Sequence, residues 1–146
     1  MTTVYDVPPA KLIEGLKAEL KKVAAIKPTD WASFVKTGTN KQKVPEEEDW
    51  WYTRSASILC KIYKNGPIGI QRLKRKYAGK RNRGHKPDGM RGGSGAVIKH
   101  ILLQLENAGF AKKTGKGRII TGEGTSLLDK ISHKVKMSSS PPKAEK

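Results

Sequence analysis

Apolar residues recur at intervals of three and four along much of the chain, which predicts helices that bury one face. The first helix is predicted over residues 8–26, where Pro8 and Pro9 suit a first turn. Its inward stripe consists of Leu12, Leu16, Leu20 and Val23. Asp30 is the predicted N-cap of a short second helix, which Gly38 ends. Its inward side chains are Trp31, Phe34 and Val35.

The widest apolar arc lies on the next helix, which Asp49 caps and which Asn65, Gly66 and Pro67 end. The inward side and the positions just beside it carry apolar or small residues: Trp51, Tyr52, Ser55, Ala56, Ile58, Leu59, Ile62 and Tyr63. Because this helix is apolar around so much of its girth, it is predicted to lie at the centre of the core.

The second half of the chain predicts shorter elements. A helix over residues 70–77 precedes residues 78–95, which are rich in glycine, show no periodicity and predict a long exposed loop. Ser94 is the predicted N-cap of a helix that ends at Ala108, with Gly109 as its stop. Residues 109–120 predict a small hairpin, and a last helix begins near Thr125.

This order of elements, from about Asp49 to Ile120, is that of a winged-helix domain. The predicted fold is mainly α, with extra N-terminal helices, a central amphipathic helix and a small β-hairpin wing. The helix over residues 94–108 is then the recognition element, and Lys112–Arg118 forms the wing. Residues 1–135 are predicted to form this single domain, and residues 136–146 a flexible tail.

Positive charge is concentrated in one part of the sequence. The net charge is +17, and 14 of the 30 lysines and arginines lie between Arg72 and Arg118, where only Asp88 and Glu106 are acidic. A cationic patch of this size is suited to a polyphosphate, because each phosphate that a lysine or arginine neutralises releases condensed counterions. A nucleic acid is therefore the expected partner.

The predicted phosphate contacts come from the short helix, the glycine-rich loop and the wing. In the first two they are Arg72, Lys74, Arg75, Lys76, Lys80, Arg81, Arg83, Lys86 and Arg91. In the wing they are Lys112, Lys113, Lys116 and Arg118. Tyr77 is the only aromatic residue between Gly66 and Gly109 and has core spacing. This predicts recognition of a duplex or a structured RNA through its backbone and shape rather than base stacking.

The residues give no sign of catalysis, of a cofactor or of a membrane span. Gly79–Gly84 has the spacing of a phosphate-binding loop, but His85 replaces the required lysine. Cys60 is the only cysteine and no Cys/His spacing suits a metal, which predicts a reduced, cytosolic protein without a metal site. No apolar run approaches the roughly 20 residues that cross a bilayer. Since its residues give no sign of catalysis, the chain is predicted not to be an enzyme.

The chain resembles the nineteen-e type of small-subunit ribosomal protein, a family shared by archaea and eukaryotes, and is most similar in character to archaeal members. The resemblance runs in order from about residue 4 to residue 135. It rests on VYDVP (4–8), FVKTG (34–38), DWWYTRSASIL (49–59), IYKNGPIGIQRL (62–73), GKRNRGHKP (79–87), LQLENAGF (103–110) and GKGRIIT (115–121).

The resemblance implies a protein of the small-subunit head that binds ribosomal RNA and meets neighbouring ribosomal proteins. It also implies a role in maturation of the small-subunit RNA. On matching positions, Arg54 and Lys61 and the basic loop from Lys80 to Lys86, with His85 within it, belong to the RNA-facing surface.

A winged-helix DNA-binding transcription regulator is the alternative function. Such a regulator concentrates its base-reading side chains on the recognition helix, whereas the charge here lies in the loop and the wing. A regulator also usually carries a dimerisation face, which the pattern does not offer. The expected state outside the ribosome is a monomer.

Overall fold

The computed structural model describes residues 1–139. Within them it contains nine regular elements besides a single turn of 3₁₀ helix at Val4–Asp6. In chain order these are α1 (Pro9–Leu20), α2 (Trp50–Asn65), α3 (Ile70–Lys76), β1 (Gly79–Arg83), β2 (Lys86–Arg91), α4 (Gly95–Asn107), β3 (Ala111–Thr114), β4 (Gly117–Ile120) and α5 (Gly122–Ser139).

The central position of α2 is confirmed. This helix packs against α1, α4, α5 and β4, and Trp51, Ile58 and Ile62 are completely buried along it. Ser55 is a buried polar residue within the same arc, and its hydroxyl donates to the carbonyl of Trp51 at 2.8 Å. Because the helix satisfies this hydroxyl itself, the wide arc is buried without an unpaired polar group.

The arrangement of α2, α3, α4 and the β3–β4 hairpin is that of a winged-helix-like domain, as predicted. The two strands pair antiparallel from Ala111 opposite Ile120 to Thr114 opposite Gly117. Ile68, between α2 and α3, pairs with Arg118 through two backbone hydrogen bonds of 3.1 and 2.9 Å. This bridge joins the wing to the segment between α2 and α3, and β4 also packs against α2.

The predicted ends of α4 are also confirmed. The Ser94 hydroxyl accepts a hydrogen bond from the Val97 amide at 3.4 Å. Gly109 follows the helix with a φ of 82°, a conformation that glycine adopts at little cost. Its inward residues Val97, Ile101, Leu102 and Leu105 are all buried, so α4 lies where the sequence places it.

The first two predicted helices need correction. The helix predicted over residues 8–26 ends at Leu20, after which tighter turns lead to the buried Ile26. The predicted helix between Asp30 and Gly38 is wrong, because that segment forms turns whose hydrogen bonds span three residues, such as Phe34 N to Trp31 O at 3.1 Å. One short turn does not offset the cost of helix nucleation.

The predicted loop over residues 78–95 is wrong as well, because most of it is an antiparallel hairpin. β1 pairs with β2 from Gly79 opposite Arg91 to Arg83 opposite Lys86, with an irregularity between Arg81 and Arg83. A hairpin exposed on both faces needs no alternation of apolar residues, so its sequence carries no strand signal.

The last helix begins three residues earlier than predicted and continues further. Thr121 accepts a hydrogen bond at its hydroxyl from the Gly124 amide at 3.3 Å, and α5 then runs from Gly122 to Ser139. Residues 136–139 of the predicted tail therefore belong to this helix. The rest of that tail, residues 140–146, lies outside the described residues.

Candidate nucleic-acid interface

The β1–β2 hairpin is a cationic ribbon with both faces exposed. Apart from the half-buried Gly79 and Gly89, all of its strand residues are exposed. Its cations are Lys80, Arg81, Arg83, Lys86 and Arg91, with His85 in the turn and Asp88 as the one acid. A Cβ placed on Gly89 would lie 3.6 Å from both Arg83 Cδ and Arg91 Nη1. These two arginines therefore converge on one face of the ribbon.

Side chains of helix α3 line grooves together with cations of the wing and of the hairpin. On one side, Arg72 lines a groove together with Lys116 and Arg118. On another side, Lys74 lines a second groove together with Arg81 from β1. Arg75 and Lys76 are exposed on the same short helix. Cations from three separate segments, the hairpin, α3 and the wing, thus share grooves along α3.

A further pair of cations flanks Tyr77, the residue that follows α3. Arg54 Cζ lies 4.0 Å from the centroid of the Tyr77 ring, and Lys61 Nζ lies 4.5 Å from it. The hydroxyl of Ser57 joins the group, because it receives hydrogen bonds from the Tyr77 hydroxyl at 2.7 Å and from Lys61 Nζ at 3.0 Å. The ring thereby holds two half-buried cations at the end of α3.

The charge of this pair is not balanced by an acid. Within residues 1–139, neither Arg54 nor Lys61 forms an ion pair with a carboxylate. Burial lowers the pKa of both side chains from their ordinary values, and the Arg54 charge lowers the pKa of Lys61 further. An anion placed beside Tyr77 would offset both effects.

The wing cations lie on different faces. Lys112, Lys113 and Lys116 are exposed, and Lys113 stands opposite Arg118 whereas Lys112 stands opposite Ile119. Directly opposite residues share a face and neighbouring residues alternate, so Lys112 points away from Lys113. Arg118 is 12% exposed at its side chain, and its Nε donates to Glu106 Oε1 at 2.7 Å. Its charge is therefore used within the protein.

Helix α4, the predicted recognition helix, has few polar side chains free. Gln104 accepts from Trp51 Nε1 at 2.9 Å and donates to the Lys27 carbonyl at 2.7 Å. The His100 ring packs edge-on against Trp31 at 5.3 Å, and Glu106 is paired with Arg118.

Three lysines outside the predicted set lie beside it. Lys41 and Lys43 line a groove with Arg54, and Lys36 lines the groove of Lys74 and Arg81. The segment that carries them is held at the base of the hairpin, since Gly38 pairs with Gly93 and the Ser94 amide donates to the Thr37 carbonyl at 2.9 Å. Residues 36–45 contain three lysines and no acid, which is the signal in the sequence that could have found them.

Other kinds of site find no support in the part of the chain that the structure describes. It contains no group of three or more histidine, cysteine or acidic side chains placed to hold a metal ion. Cys60 is buried, which raises its pKa from 9.0 to about 11, so it is an inert thiol. None of the helices within residues 1–139 has the length and apolar character needed to cross a membrane.

Comparisons with known proteins identify the family. The family model of ribosomal protein S19e matches residues 3–138. The chain is 44% identical to small ribosomal subunit protein eS19 of Aeropyrum pernix, over 92% of this chain and 90% of that protein. The proteins of the same name from Thermoplasma volcanium and Entamoeba histolytica are 42% and 37% identical, each over 92% of this chain and over 90% and 86% of their own lengths.

These matches confirm the resemblance drawn from the sequence motifs. They also confirm that the chain is not an enzyme, since the family is one of structural ribosomal proteins. Because the matched segment covers nearly the whole sequence, the chain belongs to the ribosomal protein S19e family.

Proposed function

We propose that this protein is a structural constituent of the small ribosomal subunit and that it binds ribosomal RNA. The β1–β2 hairpin is the observation that carries the proposal, because it is a ribbon exposed on both faces with five lysines and arginines and one acid. The small ribosomal subunit is proposed as the assembly because each of these relatives is named a small ribosomal subunit protein.

The hairpin and α3 make the main phosphate contacts in this proposal. Their exposed cations have no carboxylate partner within residues 1–139, so RNA can take their charge without breaking an ion pair. Arginine forks bind phosphate oxygens through two parallel hydrogen bonds, and Arg83 and Arg91 converge on one face of the ribbon. Of the wing residues, Lys113 and Lys116 contribute, whereas Arg118 serves the fold.

Arg54 and Lys61 make a second, more rigid contact. Tyr77 fixes both cations at 4.0 and 4.5 Å from its ring centroid, and burial weakens the screening of their charge by water. A phosphate at this position therefore gains more binding free energy than one at the fully exposed tip of the ribbon. The pair gives the RNA a defined place relative to α2 and α3.

The polar side chains of α4 contact other parts of the protein, which argues against the alternative of a DNA-binding regulator. A recognition helix needs free side chains that reach base edges in the major groove. The long polar side chains Gln104 and Glu106 are used inside the protein, and the exposed positions include Lys99, Leu103 and Asn107. One exposed cation on this helix is a poor basis for base reading.

Charge reversal in the hairpin tests the proposal. The double variant Arg81→Glu with Arg83→Glu should fold, because both side chains are exposed, but should be missing from small subunits isolated on sucrose gradients. The control, Lys27→Glu with Lys130→Glu, makes the same change in net charge at exposed positions outside the hairpin, α3 and the wing, and should be incorporated. Normal incorporation of the hairpin variant would refute the role of the hairpin.

Crosslinking in cells separates the two functions. Sequencing of the nucleic acid bound to the wild-type protein should recover small-subunit ribosomal RNA, whereas a regulator would recover genomic DNA. The proposal extends to contacts with neighbouring ribosomal proteins, to support of RNA maturation, and to a monomer outside the subunit. Accumulation of unprocessed small-subunit RNA in cells depleted of the protein tests the second point, and light scattering of the purified protein tests the third.

A further inference from the structure

An exposed aromatic ring stands beside the cationic surface. The side chain of Phe34 is 79% exposed, although the sequence predicts it inward. Its neighbour Trp31 is the residue that packs inward, edge-on against Trp51 with ring centroids 5.8 Å apart. Trp31 therefore anchors the turn, and Phe34 projects from it into solvent.

Phe34 lines a groove of about 860 Å³. Trp31 and Val35 extend its apolar wall, and the cations Lys36, Lys74 and Arg81 contribute to the same lining. No acidic residue is among the described residues that line this groove. Its chemistry thus combines an apolar ring with positive charge.

The glycines between β2 and α4 form another wall of the groove. Gly92, Gly93 and Gly95 line it together with Ser94. A Cβ on Gly93 would lie 2.9 Å from Tyr77 Cβ, and a Cβ on Gly95 would lie 3.4 Å from Lys74 Cδ. The backbone therefore approaches α3 closely here, and the wall stays free of large side chains.

We propose that this groove binds one unpaired nucleotide of the RNA, whose base stacks on Phe34 and whose phosphate contacts Lys74 and Arg81. This rests on the proposed RNA-binding function. An exposed aromatic ring beside cations is the arrangement by which proteins hold unstacked bases. The positive lining favours a polyanion over an apolar protein segment. The site thereby adds base stacking to a surface whose other contacts are to the backbone.

Binding of two labelled RNAs tests the proposal. One probe is a blunt 16-base-pair RNA hairpin, and the other is the same hairpin with a six-nucleotide single-stranded 3′ extension. The wild-type protein should bind the extended probe more tightly. Phe34→Ala should weaken binding of that probe at least about fivefold, the lower end of the effect of losing one stacked base, and should leave the blunt probe unaffected.

Two further variants serve as controls. Phe34→Tyr keeps a ring at this position and should keep the preference for the extension. Tyr5→Ala removes another exposed aromatic side chain, 65% exposed and packed beside Tyr63 rather than in the groove, and should also keep it. Equal binding of both probes by the wild-type protein, or a preference that survives in Phe34→Ala, overturns the groove site alone. Failure to bind either probe at about 0.1 M salt overturns the RNA-binding function itself.

Photocrosslinking in assembled subunits identifies the occupant directly. Phe34 replaced by p-benzoylphenylalanine keeps an aromatic side chain, so this test does not depend on the folding of Phe34→Ala. A crosslink to a single-stranded position of ribosomal RNA supports the proposal. A crosslink to a ribosomal protein overturns it and assigns the groove to a protein neighbour.

Discussion

Gly117→Ala should loosen the wing from the helical body. Gly117 has a φ of 133°, which residues with a side chain rarely adopt. A Cβ at this position would lie 2.6 Å from the carbonyl carbon of Ile68 and 2.7 Å from its oxygen. These atoms belong to the backbone at the bridge between Ile68 and Arg118, so they cannot move aside as a flexible side chain would.

The magnitude follows from two separate costs. Holding a side-chain-bearing residue at such a φ costs about 1–3 kcal/mol. Forcing an extra methyl group against packed backbone costs about 1–3 kcal/mol more. Their sum centres on about 4 kcal/mol, a large part of the roughly 5–15 kcal/mol by which a domain is stable. For a chain of this size, the melting temperature should fall by about 8–16 °C.

Thermal unfolding followed by circular dichroism measures this effect, and Gly115→Ala is the matched control. Gly115 lies in the turn of the same hairpin, has no positive φ, and a Cβ there would meet nothing within 4 Å. Its substitution should change stability by less than about 1 kcal/mol. If the two variants melt at the same temperature, the close contact between β4 and Ile68 does not hold the wing.

Three shorter predictions concern the core, the wing and the thiol. Leu102→Asp should abolish the cooperative melt, because it places an unpaired carboxylate at a completely buried position. The control variant Leu103→Asp should melt almost normally, because that side chain is 40% exposed. A double-mutant cycle with Arg118→Ala and Glu106→Ala, measured by urea unfolding, should give a coupling free energy of about 1–2 kcal/mol because the ion pair is mostly buried. A coupling free energy near zero would show that Arg118 is free for RNA. Since burial raises the pKa of Cys60 from 9.0 to about 11, iodoacetamide at pH 8 should label the native thiol roughly 100-fold more slowly than the unfolded one. The stability that this proton contributes is complete below pH 9 and is lost as the pH rises towards 11.

The sequence predicts α2 and α4 well because the signals for them are local. Each has an apolar stripe at the helical period, and each is followed by a residue type that stops a helix. The Ser94 hydroxyl caps α4 as expected, but Asp49 makes no capping hydrogen bond and its carboxylate instead pairs with Lys21. The positions of these two helices in the chain could thus be predicted more reliably than the partner of a charged side chain.

The hairpin and Phe34 could not be predicted, for opposite reasons. β1 and β2 bury almost nothing, so no hydrophobic pattern marks them, and their strand geometry comes from backbone pairing alone. Phe34 belongs to an apolar pattern that predicts both Trp31 and Phe34 inward, but the chain there forms turns and only Trp31 packs inward. Hydrophobic periodicity reports burial, and it fails where a strand is fully exposed or a turn is too short to be a helix.

In the candidate site, too, the local features could be predicted from the sequence and the tertiary contacts could not. Charge concentration between Arg72 and Arg118 is visible in the sequence, whereas the pairing of Arg118 with Glu106 is a tertiary contact. The approach of Lys36, from a segment predicted as part of a helix, also depends on the folded chain.

The distribution of stability in the fold has a consequence for the proposed binding of RNA. The hydrophobic core surrounds α2, and Arg54, Lys61 and Tyr77 are fixed on its surface. An isolated two-stranded hairpin is only marginally stable, and β1 and β2 have no apolar face that packs on this core. In the proposed complex the pair beside Tyr77 therefore sets the position of the RNA, while the ribbon, with five cations against two, adjusts to the phosphates it meets. Mutations in the ribbon should consequently change the salt dependence of binding, and mutations around Tyr77 should change where on the RNA the protein binds.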